Sequence, residues 1–136
     1  MRKIDANIVL RYVMNDHEEL SPKAKDIIDS NIVEVPIEVL CEVVFVLQGY
    51  YEVKRNEIHA KLTEFFEKTN SILPHRDAIL KALEYFGKTS LDFVDCILAG
   101  YYELEQTPID TFDGKLQKLI DKINNQGIQG KCNESG

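Results

Sequence analysis

Met1-Arg2-Lys3-Ile4-Asp5-Ala6-Asn7-Ile8-Val9-Leu10-Arg11-Tyr12 opens the chain, and its reading decides the fold. The stretch reads as a very short strand ending at Asp5, followed at once by a helix. In open parallel sheets, ligands lie beyond the carboxyl ends of the strands. A carboxylate at such a turn is therefore placed for catalysis or metal binding. An Asp there also makes an ordinary N-cap, accepting the free amides of a first helical turn. Asp5 alone does not separate the two readings.

The 136 residues suit one domain, and 44% hydrophobic content can bury a core without disulfides. The three cysteines, Cys41, Cys96 and Cys132, are widely spaced and form no C-x-x-C pair. Neither a zinc knuckle nor a redox motif is indicated. Cys41 and Cys96 lie in apolar runs and read as small core residues. No signal-peptide pattern or membrane-length apolar stretch occurs, so a cytoplasmic protein with no membrane partner is expected. The net charge of −7 argues against a passive nucleic-acid coat. It leaves room for an enzyme that gathers acids at a metal and bases at its rim.

Helical spacing of Ile8 with Tyr12 and of Val9 with Val13 predicts a helix over Ala6–Met14. Ser21-Pro22 reads as cap and first residue of a second helix, running to Asp29. Asn31–Val35 is a second short strand, ended by Pro36. From Pro36 to Tyr51 the apolar pattern is too long for a strand and is read as a deeply packed helix. Lys54–Lys68 is a helix with Ile58, Leu62, Phe65 and Phe66 inward. Ser71–Pro74 is a third strand, and a helix over 76–86 is stopped by Gly87. Thr89-Ser90-Leu91-Asp92 resembles a capping box for a helix to Glu105. Pro108–Thr111 is a fourth strand, and a last helix runs from Asp113 to Ile123. Residues 1–123 form the expected domain and 124–136 a loose tail. Strands alternating with helices indicate an α/β fold with a parallel sheet flanked by helices. Right-handed crossovers place strand ends and helix starts on one edge.

Certain acids resist explanation by solvation. Glu42 is the only charged residue between Val39 and Leu47. A charge in apolar surroundings needs a partner or a proton, so a buried Glu42 implies a cation, an Arg or Lys, or an escape to an edge. Glu38, four residues earlier, adds like-charge repulsion. Asp95 is flanked by Phe93, Val94, Cys96, Ile97 and Leu98. The small residues Cys96, Ala99 and Gly100 would let another backbone come close. Asp92, three residues before Asp95, reads first as a capping acid. Asp113 follows the fourth strand as Asp5 follows the first, and an N-cap explains it equally well. The topology puts Asp5, Glu42, Asp95 and Asp113 on one sheet edge. Two carboxylates about 5 Å apart at an effective dielectric of about 20 repel by roughly 3 kcal/mol. Such a cluster calls for a hard cation, and all-oxygen ligands indicate Mg²⁺ or Mn²⁺.

Four ordered pieces carry a family resemblance: Ile4–Tyr12, Val39–Leu47, Leu91–Ala99, and Thr111-Phe112-Asp113. The chain resembles the PIN-domain ribonucleases, and within them the VapC-type toxins of toxin–antitoxin pairs. The resemblance spans about residues 1–120. It implies a three-layer fold with a short four- or five-stranded parallel sheet, Gly127-Ile128-Gln129 being the candidate fifth strand. It implies that Asp5, Glu42, Asp95 and Asp113 hold one or two Mg²⁺ or Mn²⁺ ions. Asn7 and Thr111 would support them, and Asp92 would be an extra acid. The implied activity is metal-dependent hydrolysis of RNA. The implied partners are an antitoxin protein and a second copy of the chain, with Tyr50, Tyr51, Tyr101 and Tyr102 available for contact or for packing.

Arg11, Lys54, Arg55 and the Lys115-Lys118-Lys122 stripe are candidate phosphate contacts, although the stripe reads first as a solvated helix face. The three His residues lie outside all four pieces and suit surface roles. One rival is a phosphohydrolase using Asp5 as nucleophile, but the second acid it wants two residues later is replaced by Asn7. The other is a PIN-like module that binds without catalysis.

Overall fold

The computed structural model describes residues 1–135, with side chains as far as Gly127. The element order is β1 (Arg2–Lys3), α1 (Ala6–Met14), α2 (Leu20–Asp29), β2 (Val33–Glu34), α3 (Ile37–Gly49), α4 (Arg55–Lys68), α5 (Arg76–Lys88), α6 (Phe93–Glu105) and α7 (Gly114–Ser135).

β1 and β2 pair in parallel, Arg2 beside Val33 and Lys3 beside Glu34. The Lys3 Nζ and Glu34 Oε2 atoms lie 3.3 Å apart across that register. On the far side of β2, Ile72 forms a single parallel bridge to Glu34. Its N–H donates to the Val33 carbonyl (2.8 Å), and its own carbonyl accepts from Val35 N–H (2.9 Å). The sheet is therefore smaller than the expected four or five strands. Among the described residues only two strands form a ladder, and the expected third strand is reduced to one bridge. The expected fourth, Pro108–Thr111, is irregular. Prolines account for part of this: Pro36 and Pro74 stop the second and third lines, and Pro108 has no amide to donate. The fifth-strand candidate, Gly127-Ile128-Gln129, lies within α7 and is helical, not a strand; the side chain of Cys132 falls outside those described. The last helix continues past its expected end at Ile123, through Asn124–Gly127.

Helices supply most of the core. α4 turns Ile58, Leu62, Phe65 and Phe66 inward, as its spacing requires. α3 buries Leu40, Val43, Val44 and Leu47, but Glu38, Glu42, Phe45 and Gln48 form an exposed stripe. The helix is thus not packed on all sides, and Glu42 is not buried. α2 begins at Leu20, one residue before the expected cap. His17 supplies the missing acceptor: its Nδ1 takes the amides of Glu19 (3.2 Å) and Leu20 (2.9 Å). Ser21 is buried and accepts instead from His17 N–H (3.1 Å). α5 runs through Gly87, where the helix was expected to stop, to Lys88. Thr89 ends it, its Oγ1 donating to the Tyr85 carbonyl (2.8 Å). Gly87 instead leaves room for the Cβ of His59 on α4.

α5 and α6 pack tightly along the small residues of α6. Cys96 and Ala99 are fully buried, and a Cβ at Gly100 would run into the Ala78 carbonyl. Gly100→Ala is therefore expected to cost about 1–3 kcal/mol of stability despite better helix propensity. Gly49→Ala, with nothing within 4 Å of the new methyl, should be neutral or stabilising. Denaturant midpoints of the two variants check this. A Gly100→Ala midpoint at or above wild type would show that α5 and α6 are not in close backbone contact.

Candidate active site

The acid-bearing segments share a local design: each begins or nearly begins a helix. Asp5 follows β1 directly and caps α1, its Oδ1 accepting from Ile8 N–H (3.1 Å). One carboxylate oxygen is used by the cap, and the other is left for a different partner. Asp113 does the same for α7, its Oδ1 accepting from Leu116 N–H (2.9 Å). Thr111 steadies that turn, its Oγ1 accepting from Asp113 N–H (3.0 Å). The cap reading of Asp5 and Asp113 is thus real, and it fixes the direction of each carboxylate.

At α6 the expected capping box over Thr89–Asp92 does not form, because Thr89 closes α5. Asp92 is the N-cap residue by position, yet its side chain makes no capping bond. Its carboxylate is exposed and free to face solvent or a ligand. Asp95 lies in the first turn, half-buried. A helix N-terminus ordinarily favours a carboxylate. Here burial pushes the Asp95 carboxyl above its usual range, and the charges of Asp113 and Asp92 add to the push. The structure thus brings Asp92, Asp95 and Asp113 into one negative field.

Glu42 stands in the second turn of α3, exposed, and Asn7 is exposed on α1. Among the described residues, no three His, Cys, Asp or Glu side chains are gathered closely enough to hold a metal ion. The donor set fits a hard divalent cation by its chemistry: every candidate ligand is a carboxylate oxygen, and the raised Asp95 marks where a positive charge would relieve repulsion.

Two residues act differently from expectation. Arg55 is not free for phosphate. Its guanidinium lies 3.7 Å from the centre of the Phe86 ring and donates to the carbonyls of Phe86 (2.8 Å) and Leu91. It ties the end of α5 to the loop that delivers Asp92. Arg11 is half-buried and paired with Asp16 (3.4 Å). Lys54, Lys115, Lys118 and Lys122 remain exposed. His75 contacts Glu105 (2.7 Å) and stacks edge-on against Tyr101. The capping role of His17 and the staple formed by Arg55 had no sequence signal beyond residue type, since both depend on partners fixed only by the fold.

A cavity of about 380 Å³ adjoins this acidic edge between α3 and α6. Cys41, Phe45, Phe86 and Phe93 contribute to its wall, and Asp92 and Asp95 also line it.

The raised Asp95 carboxyl makes a pH-dependent prediction. A carboxyl whose folded value is raised binds its proton more readily in the native state, so it weakens the fold as pH rises through that value. Without divalent ions, Asp95→Asn should melt above wild type at neutral pH. The advantage should shrink as pH falls through the carboxylate range and wild-type Asp95 becomes neutral. Thermal melts in EDTA across pH test this, and a pH-independent difference would contradict it.

No curated protein and no solved structure matches the chain. A family model described as PIN domain matches residues 3–122. PIN domains are generally nucleases and typically use divalent metal ions. The match runs from β1 into α7 and includes all four acids of the quartet. No described helix is long and apolar enough to cross a membrane. With most of its length matched, the chain belongs to the PIN domain family.

Proposed function

We propose that this protein is a Mg²⁺- or Mn²⁺-dependent endoribonuclease, the toxin of a VapC-like toxin–antitoxin pair acting in the cytoplasm. The observation that carries the reading is the half-buried Asp95 standing in the combined field of Asp113 and Asp92 at a helix start. Such repulsion is tolerated where a cation is to bind.

Asp5, Glu42, Asp95 and Asp113 would hold the ion, with Asn7, Thr111 and Asp92 in support. When bound, the metal would supply a Lewis acid and a more acidic water for attack on phosphorus. The residues' own tasks follow from their settings. Asp5 and Asp113 are aimed by amides that occupy one oxygen of each. Thr111 keeps the Asp113 turn in place. Exposed aromatic and apolar groups such as Tyr50 and Phe45 give an antitoxin or a second copy surface to cover.

One observation favours a catalytically silent PIN module: three side chains able to share a metal are not gathered among the described residues. A cleavage assay separates the two. RNA hydrolysis should require Mg²⁺ or Mn²⁺ and stop in EDTA. Asp5→Asn and Asp113→Asn should each lower it by at least on the order of 100-fold. Mn²⁺ should also raise the melting temperature of wild type, by the equivalent of about 2.7 kcal/mol at a hundredfold excess over its Kd. Cleavage in EDTA, or an Asp5→Asn variant as active as wild type, would overturn the mechanism.

A further inference from the structure

The cavity between α3 and α6 has a composition that the acids alone do not explain. Its mouth carries two exposed apolar side chains, Phe45 from α3 (76% exposed) and Val94 from α6 (58%). Its wall includes the rings of Phe86 and Phe93, set edge to face with centres 5.8 Å apart. Its polar lining includes the Gln48 amide and the carboxylates of Asp92 and Asp95. Its volume of about 380 Å³ falls in the range of small-ligand sites.

Phe45 contributes little to the core. It stands between Cys41 and Gln48 on the exposed stripe of α3, so folding does not account for an aromatic residue there. On the other side of the α6 start, residues 89–91 and α7 line a second depression. Thr89, Ser90, Leu91, Lys115, Lys118 and Lys122 all contribute to it. Among the described residues, none of these three lysines forms an ion pair. Residues 89–91 thus line the lysine-bearing depression, and residues 92–95, next along the chain, line the aromatic cavity.

We propose that the α3–α6 cavity is a subsite for one unstacked nucleobase of single-stranded RNA, with Phe45 as its stacking face and the lysine edge of α7 receiving neighbouring phosphates. This rests on the ribonuclease reading and names how its substrate is held. A nucleobase is flat and apolar on its faces and carries N–H donors on its edge. It matches aromatic walls with a rim of acceptors. Asp92, unengaged by its helix, can accept from an exocyclic amino group as carboxylates do from cytosine. Single-stranded RNA is commonly read by splaying a base onto an aromatic side chain. The lysines supply the charge complementarity that a backbone of phosphates needs and that an apolar protein segment would not use.

The test is binding, measured in EDTA so that no cleavage occurs. The probe is a short uridine oligoribonucleotide carrying one fluorescent adenine analogue at its centre. Wild type should quench the analogue on binding. Phe45→Ala should abolish the quench and weaken binding about tenfold, the size of one lost base–aromatic stack. Phe45→Trp should preserve both. An oligonucleotide of the same length made wholly of abasic residues should bind wild type and Phe45→Ala alike. Because Phe45 is exposed, the variants should retain the wild-type melting curve, which confirms that the fold is intact. No quench with wild type, or equal quench and affinity in Phe45→Ala, overturns the proposal and leaves the cavity to a protein partner. Cleavage separates this from the reading beneath it. If metal-dependent hydrolysis fails while the Phe45-dependent quench stands, the ribonuclease reading falls and the base subsite remains. If hydrolysis occurs and Phe45 is indifferent, only the subsite falls.

Discussion

The close passage of α6 over α5 at Gly100 fixes where the acids of α6 can be. Helices usually keep axes about 8–10 Å apart, set by the side chains between them. Here a residue without a side chain faces the Ala78 carbonyl, and the neighbouring Cys96 and Ala99 are small and buried. The two backbones meet where the middle of α6 crosses the first turn of α5. The start of α6 is then placed by that contact and by Arg55. The Arg55 guanidinium stacks on Phe86 and donates to carbonyls at the end of α5 and in the following loop. A Lys could not bridge these acceptors in the same way, because it lacks the planar fork. Asp92 and Asp95 are thus set by a rigid helix pair and a charged staple, not by a free loop.

What is held there is electrostatically unfavourable on its own. The N-terminus of α6 offers Asp95 a favourable dipole, worth about 0.3–1 kcal/mol at exposed sites. Burial and the nearby Asp113 and Asp92 oppose it, and the direction of the Asp95 shift shows which side wins. Asp5 and Asp113 each accept a hydrogen bond from one backbone amide of the helix they open. The same local chemistry that caps these helices also aims their carboxylates. A capping role at these positions therefore does not exclude a role in a site, since each cap uses only one carboxylate oxygen.

Much of this was legible in the chain. The β1–α1 turn at Asp5, the bounds of α1, the inward face of α4 and the small-residue stripe of α6 all follow from spacing and residue size. The failures have particular causes. Two-residue strands leave almost no period to read, so Ser71–Pro74 and Pro108–Thr111 were expected as strands. The burial of Glu42 was inferred from its apolar neighbours in sequence, but helical geometry sets it beside Glu38 and Phe45 on the outer stripe. Gly87 looked like a helix stop because glycine so often ends helices. Its actual use is to admit the Cβ of His59, a contact invisible without the fold. Arg55 looked like a phosphate ligand because sequence shows charge but not carbonyl partners.

A net charge of −7 repels a polyanion at long range, yet it matters less at short range. At physiological salt, charges on the surface are screened over about 8 Å, so a bound strand feels local groups more than the total. Lys115, Lys118 and Lys122 lie along one edge of α7, with no acidic partner among the described residues. Lys115 stands in the first turn of α7, where the helix dipole disfavours a cation. The acids across the 89–91 loop work against the same polyanion at short range, and a divalent ion held there would ease that repulsion. On the proposed reading, the lysines, the acids and the aromatic cavity would meet three parts of one single-stranded polynucleotide: neighbouring phosphate, reacting phosphate and base.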